Sequence, residues 1–154
     1  MLLYMTHTQL REAVKEALRN HDELKLSVMR GLLSNATNEL VAKGKKPTEE
    51  LPEDDIMNLI RRGAKQRKDS IEQFEKGNRA DLAAKEKEEL LILEEFLPAM
   101  LPRDAVEAAV RAKAAELGVT DKTKANQLIG ALMKDLKGTA DGTVVKEIVD
   151  SLFA

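Results

Sequence analysis

The stretch Gly138-Thr139-Ala140-Asp141-Gly142, set between two apolar-striped segments, has the composition of a loop that cradles a phosphate or grips a metal. Two glycines let backbone N–H groups converge on an anion, the following helix N-terminus favours negative charge, and Lys134 and Lys137 stand just before it. The same residues also make a helix stop, a turn and a helix start. Gly138 falls after the stripe Leu128, Ile129, Leu132 and Leu136, where a left-handed C-terminal residue is wanted. Asp141 falls at the N-cap of the next helix, where its carboxylate accepts from the N–H of Thr143 or Val144. A capping carboxylate occupies the donors a phosphate needs and repels an anion. The turn is therefore the stronger reading, with Gly138, Asp141 and Gly142 shaping it.

The segment RRGAKQRK, residues 61–68, holds five positive charges and no negative one, the sharpest charge asymmetry in the chain. On a helix Arg61, Lys65 and Lys68 share one outer face at i, i+4, i+7. Two readings compete: a patch that contacts phosphates, and a solvated face balanced by the acidic run EKEELLILEE at 86–95, which is favoured. Arg67 differs, because it falls between Gly63 and Ile71 on the apolar stripe itself. A cation there must be paired or bury its stem, and a carboxylate from 86–95 is the expected partner.

Carboxylate chemistry has less support. Glu88, Glu95 and their neighbours spread around a helix with no histidine beside them, so a solvated or ion-paired face is the better reading. Asn35 and Glu39, at i, i+4 beside apolar positions, suit a polar contact within a bundle. Ser27, Ser34, Ser70 and Ser151 have no visible base. No nucleotide-binding glycine motif, nucleophile elbow or zinc-protease motif occurs. The chain has no cysteine and only two histidines, His7 and His21, which argues against thiol chemistry, disulfides and metal sites; no cofactor is implied.

Helices must position these groups, because apolar residues recur at helical spacing and no period-2 strand is evident. Leu10, Val14 and Ala17/Leu18 mark a first helix after Thr6 and Thr8 as candidate caps. Asp22 starts a second, with Leu24, Val28, Leu32, Ala36 and Leu40 inward, ended by Gly44 and the polar loop KKPTEELP. A third begins near Pro52 and its following acids and runs through Ile56, Leu59, Ile60, Gly63, Ile71 and Phe74 to Gly77. The fourth spans roughly 81–96. Four helices with short connections predict an antiparallel bundle. LPAMLP, residues 97–102, holds two prolines and is apolar, which predicts a packed joint with Leu97, Met100 and Leu101 buried. Helices near 104–117, 123–137 and 142–153 then form a three-helix module, marginal in size on its own.

Composition narrows the function. Of 154 residues, 34% are charged and only 3% aromatic, so stacking of bases on rows of rings is disfavoured. A net charge of −2 means that nucleic acid or anionic lipid would be held by a local patch alone. The opening MLLYMTHTQLRE is too short and too polar for a signal peptide or a span, so a soluble cytoplasmic protein with no membrane partner is expected; Met5 is a second candidate start.

KQRKDSIEQFEKGNRADLAAKEKEELLILEEFLPAMLP at 65–102 and IGALMKDLKGTADGTVVKEIV at 129–149 resemble the YqeY-like proteins, and the similarity extends from about Leu10 over nearly the whole chain. Its specific pieces are K-x-R-x-x-S-I at 65–71, E-x-F-L-P at 94–98, and G-x-x-M-K followed by G-x-A-D-G-x-x-V across 130–145. That family shares its C-terminal module with the tail of GatB, the tRNA-binding subunit of glutamine-dependent aspartyl/glutamyl-tRNA amidotransferase. The resemblance implies an all-α protein, with a four-helix N-terminal domain at 1–98 and a three-helix tail-like domain at 99–154. It also implies association with tRNA or with a tRNA-handling enzyme. Lys134, Lys137 and Lys124 are then the expected RNA contacts, with Arg61, Lys65 and Lys68 as a second patch. A carbon–nitrogen ligase label with glutamine as donor describes the relative's complex; no catalytic constellation is visible here, so a non-catalytic accessory role is expected. The alternative is a helical protein–protein adaptor without RNA binding.

Overall fold

A computed structural model describes residues 5–136 and 138–154. Lys137, one of the expected RNA contacts, lies outside the described residues. The described residues form seven α-helices, with one short 3-10 turn and no strand: α1 His7–Arg19, α2 Glu23–Ala42, α3 Glu53–Lys76, α4 Ala80–Glu94, α5 Arg103–Leu117, α6 Ala125–Leu136 and α7 Gly142–Leu152. The all-helical expectation is met. The chain divides into two compact units, Met1–Leu97 and Pro98–Ala154.

In the first unit, local signals set the helix ends. Thr6 accepts from the N–H of Gln9 at 3.1 Å while the Gln9 side chain accepts from the N–H of Thr6 at 2.8 Å, closing a capping box on α1. Thr8, the other candidate cap, instead donates to Glu50 at 2.6 Å. Asp22 caps α2 by accepting from the N–H of Lys25 at 3.0 Å. Glu53, Asp54 and Asp55 fill the first turn of α3, where carboxylates suit the helix dipole. α3 and α4 lie against each other, α2 packs on both, and α1 packs on α2. The core joins Leu10, Met29, Leu32, Leu40, Ile56, Ile60 and Leu93. Burying each such side chain contributes about 1.5–3 kcal/mol. Past Ala64, α3 contributes no buried residue, and Ala83 is the buried contact on the facing stretch of α4, so the far ends of these helices form an arm that carries charge on most of its surface.

In the second unit, α5, α6 and α7 pack pairwise around Val106, Val110, Leu128, Leu132, Val145 and Val149. Gly118 ends α5 in the left-handed region at φ +64°. The burial expected at 97–102 is only partly found. Leu97 packs, half-buried, against the first unit's core, but Met100 is 52% and Leu101 38% exposed. The backbone explains the latter: the Leu101 N–H donates to the Thr139 carbonyl at 2.7 Å, which ties the peptide to the turn after α6 and leaves the side chain outside.

Candidate functional site

The turn between α6 and α7 takes the form that local chemistry dictates. Gly138 sits at φ +72°, which a residue with a Cβ adopts at a cost, and the Thr139 N–H donates to the Leu136 carbonyl at 2.8 Å. Asp141 accepts from the N–H of Thr143 at 2.7 Å and caps α7. Ala140 is buried between them. Gly142 opens α7 without a positive φ, and a Cβ there would meet Met133 Cε at 3.7 Å, an ordinary contact. The turn thus needs Gly138 and Asp141 and leaves Gly142 replaceable. With its donor taken by Asp141, this helix end is closed to an anion by its own carboxylate.

The second unit presents lysines before α6, in its last turn and on α7. Lys122, Lys124, Lys134 and Lys146 are all exposed, and none stands within 4.0 Å of a carboxylate among the described residues. Neighbouring charges are occupied differently. Lys113 bonds Asp135 at 2.7 Å and Glu116 at 3.2 Å, which raises its pKa, the Asp135 bond first. Asp121 caps the 3-10 turn by accepting from the Thr123 hydroxyl and from its N–H at 2.8 Å; these bonds, with Lys124 nearby, hold its carboxyl below the usual range.

The basic run of α3 is largely matched by acids. Arg67 Nε donates to Glu89 Oε2 at 2.7 Å and lies 3.5 Å from Glu86, as its place on the apolar stripe predicts. Arg62 pairs with Glu39 at 2.7 Å, and Lys68 stands 4.0 Å from Glu94. Lys65 is exposed and without a carboxylate partner among the described residues. Arg61 departs from the outer-face expectation: it is half-buried, donates to Asn58 at 3.0 Å, and leaves Nε buried without a partner among the described residues. Across the α3–α4 seam the acidic run thus meets Arg67 and, at 4.0 Å, Lys68, whereas Arg62 is held from α2; Glu88 and Glu95 remain exposed. No cluster of three metal-ligating side chains occurs among the described residues, and no helix described is long and apolar enough to cross a membrane.

Of the two residues expected in a polar contact within the bundle, Glu39 makes one, to Arg62 of α3 at 2.7 Å, and Asn35 does not. Glu39 is held by Arg62 and Lys43, while Asn35 is exposed on the wall of a groove of about 640 Å³ between α2 and α3.

One polar residue escaped sequence reasoning. His7, 1% exposed, accepts at Nδ1 from the N–H of Leu51 at 3.0 Å, and its Nε2 is buried without a partner among the described residues. Arg11 reaches Glu50 at 3.2 Å and the Glu49 carbonyl at 3.3 Å, so the first turns of α1 grip the segment leading into α3. Burial, then the Arg11 charge, lowers the His7 pKa, with Glu50 opposing them. A neutral imidazole is required for Nδ1 to accept. Nothing in the sequence near His7 points to a backbone donor more than forty positions away.

Comparison with known proteins adds the following. The family model described as Yqey-like protein matches residues 7–153. The protein named "Altered inheritance of mitochondria protein 41, mitochondrial" of Lachancea thermotolerans is 39% identical over 109 residues, which cover 70% of this chain and 55% of that protein. Its namesake in Vanderwaltozyma polyspora is 35% identical over 92 residues, 59% of this chain and 48% of the relative. That of Kluyveromyces lactis is 38% identical over 104 residues, 66% and 54%. The chain spans about half the length of these curated relatives. Their mitochondrial designation overturns the expectation of a cytoplasmic protein. Composition and helical periodicity describe folding and carry no compartment address.

Proposed function

Because the chain belongs to the YqeY-like family, we propose that it is a non-catalytic accessory protein that binds tRNA, or an enzyme already holding tRNA, through its second unit. The observation that carries this reading is a set of exposed lysines left without carboxylate partners among the described residues: Lys122 and Lys124 before α6, Lys134 in its last turn and Lys146 on α7. An unpaired cation gives up only water and counterions on meeting a phosphate, whereas Arg62 and Arg67 would first have to leave a carboxylate. Lys65 is the member of the first unit's patch best able to add a contact, with Arg61 and Lys68 more committed to their neighbours. Resemblance to the amidotransferase tail supplies the RNA class. Lys137 belongs to the same expectation by its sequence position.

Four phosphate contacts would lower affinity roughly a hundredfold between about 50 and 200 mM salt, given a slope near 0.9 per contact. Fluorescence anisotropy with labelled tRNA tests this directly. Lys124→Glu with Lys134→Glu should weaken binding at low salt and leave helix content and Tm unchanged. Absence of low-salt binding by the unaltered chain, alone or with a tRNA-handling enzyme, sinks the reading and leaves the protein–protein adaptor in its place.

A further inference from the structure

The α2–α3 groove of about 640 Å³ has no role in the RNA reading, and it lies in the other unit. Its size falls within the range of ligand sites, about 300–1,000 Å³. Asn35 and Asn38 stand one turn apart on α2, Gln66 lines the same groove from α3, and all three carboxamides are exposed with no side-chain hydrogen bond to another described residue. The floor is low: Leu59 is 7% exposed and Gly63 is small, while Ala42 stands exposed at one end of the wall. A Cβ at Gly63 would meet Leu93 Cδ1 at 3.4 Å, an ordinary contact.

The charges bordering the groove cancel. Glu39 holds Arg62 at 2.7 Å and Lys43 at 3.5 Å, and Lys43 also holds Asp55 at 2.6 Å. Two acids against two bases leave no surplus positive charge, so a phosphate-bearing ligand gains nothing here. A carboxamide offers an acceptor and two donors on one plane, which matches the C=O and N–H of a peptide group. From Asn35 to Ala42 the wall runs about 10 Å at the helical rise, the reach of about three extended residues. We propose that this groove binds an extended segment of a partner protein through its main chain. Asn35, Asn38 and Gln66 bond the partner's peptide groups, and an apolar side chain sits over Leu59 between Ala42 and Gly63.

The test uses the whole chain. A library of random peptides is selected against it, and the enriched peptides are titrated calorimetrically. Expected are peptides with a central apolar residue whose affinity drops roughly tenfold or more for Asn35→Ala/Asn38→Ala/Gln66→Ala. N-methylation of the peptide main chain should cause a comparable loss. Ala42→Trp, which fills the groove from an exposed helix position, should abolish binding, and both variants should retain the parent Tm. Failure to enrich any peptide overturns the proposal, as does binding that ignores these variants or the N-methylation. Loss of tRNA affinity in the triple variant, with peptide affinity unchanged, likewise overturns it. Loss of tRNA affinity in the lysine variants alone leaves it standing.

Discussion

Arg67→Ala removes the cation that joins α3 to α4 where the packed core gives way to the charged arm. Its Nε lies 2.7 Å from Glu89 and 3.5 Å from Glu86, with side-chain exposures of 26% for Arg67, 12% for Glu89 and 22% for Glu86. Fully exposed pairs contribute about 0–1 kcal/mol, while stripping one member from a buried pair costs about 3–5 kcal/mol. These exposures lie between the limits, and two carboxylates would be left facing each other without the cation. A loss of about 2 kcal/mol is therefore expected in urea unfolding followed by circular dichroism. Arg67→Met keeps most of the apolar stem and should lose less, which separates packing from charge. Glu89→Gln completes a double-variant cycle with Arg67→Met, with an expected coupling of about 1 kcal/mol. Lys65→Ala and Lys68→Ala, on the exposed side of the same helix, should change stability by no more than about 0.5 kcal/mol. Equal small losses from Arg67, Lys65 and Lys68, or zero coupling with Glu89, would refute the idea that the stripe position makes this cation structural.

The His7 latch predicts a pH dependence of stability. Its folded pKa lies below the usual 6.5, so the unfolded chain binds the proton more readily, and stability falls as pH drops through 6.5 toward the lower folded value. His7→Asn keeps an acceptor for the Leu51 N–H without titrating, so its stability between pH 7 and 5 should slope less than the parent's; parallel slopes would exclude the latch as the source. At the α6–α7 turn, Asp141→Ala should cost about 1 kcal/mol through loss of the cap, and Gly138→Ala about 1 kcal/mol through its positive φ. Gly142→Ala should be close to neutral because its Cβ has room, and thermal unfolding of the three variants ranks them.

Much of this architecture was legible because helices announce themselves over a few residues. The stripe through Val28, Leu32, Ala36 and Leu40 became the buried face of α2, and Asp22 and Asp141 cap the helices assigned to them. Gly138 was readable for the same reason, since a helix stop followed by an N-cap is written within five positions. The candidate site was less legible. Arg67 could be assigned a partner helix from its misfit on an apolar stripe, but Arg61 looked like Lys65 and Lys68, and only packing half-buries it.

What the sequence by itself determined, then, is what a backbone decides with its nearest neighbours: seven helices, the caps of α1, α2 and α7, and the turn that ends α6. Capping and 3.6-residue periodicity act over three or four positions, so the information and the interaction lie in the same short window. Tertiary structure alone decided which distant groups meet. It brought His7 to the Leu51 N–H, set Glu39 between Lys43 and Arg62, and left Asn35 and Asn38 of α2 on one groove with Gln66 of α3. It also turned Met100 and Leu101 outward where their apolarity argued for burial. Each of these outcomes depends on where one helix comes to lie on another, and that is chosen by the summed packing of the core rather than by the residues that later face one another.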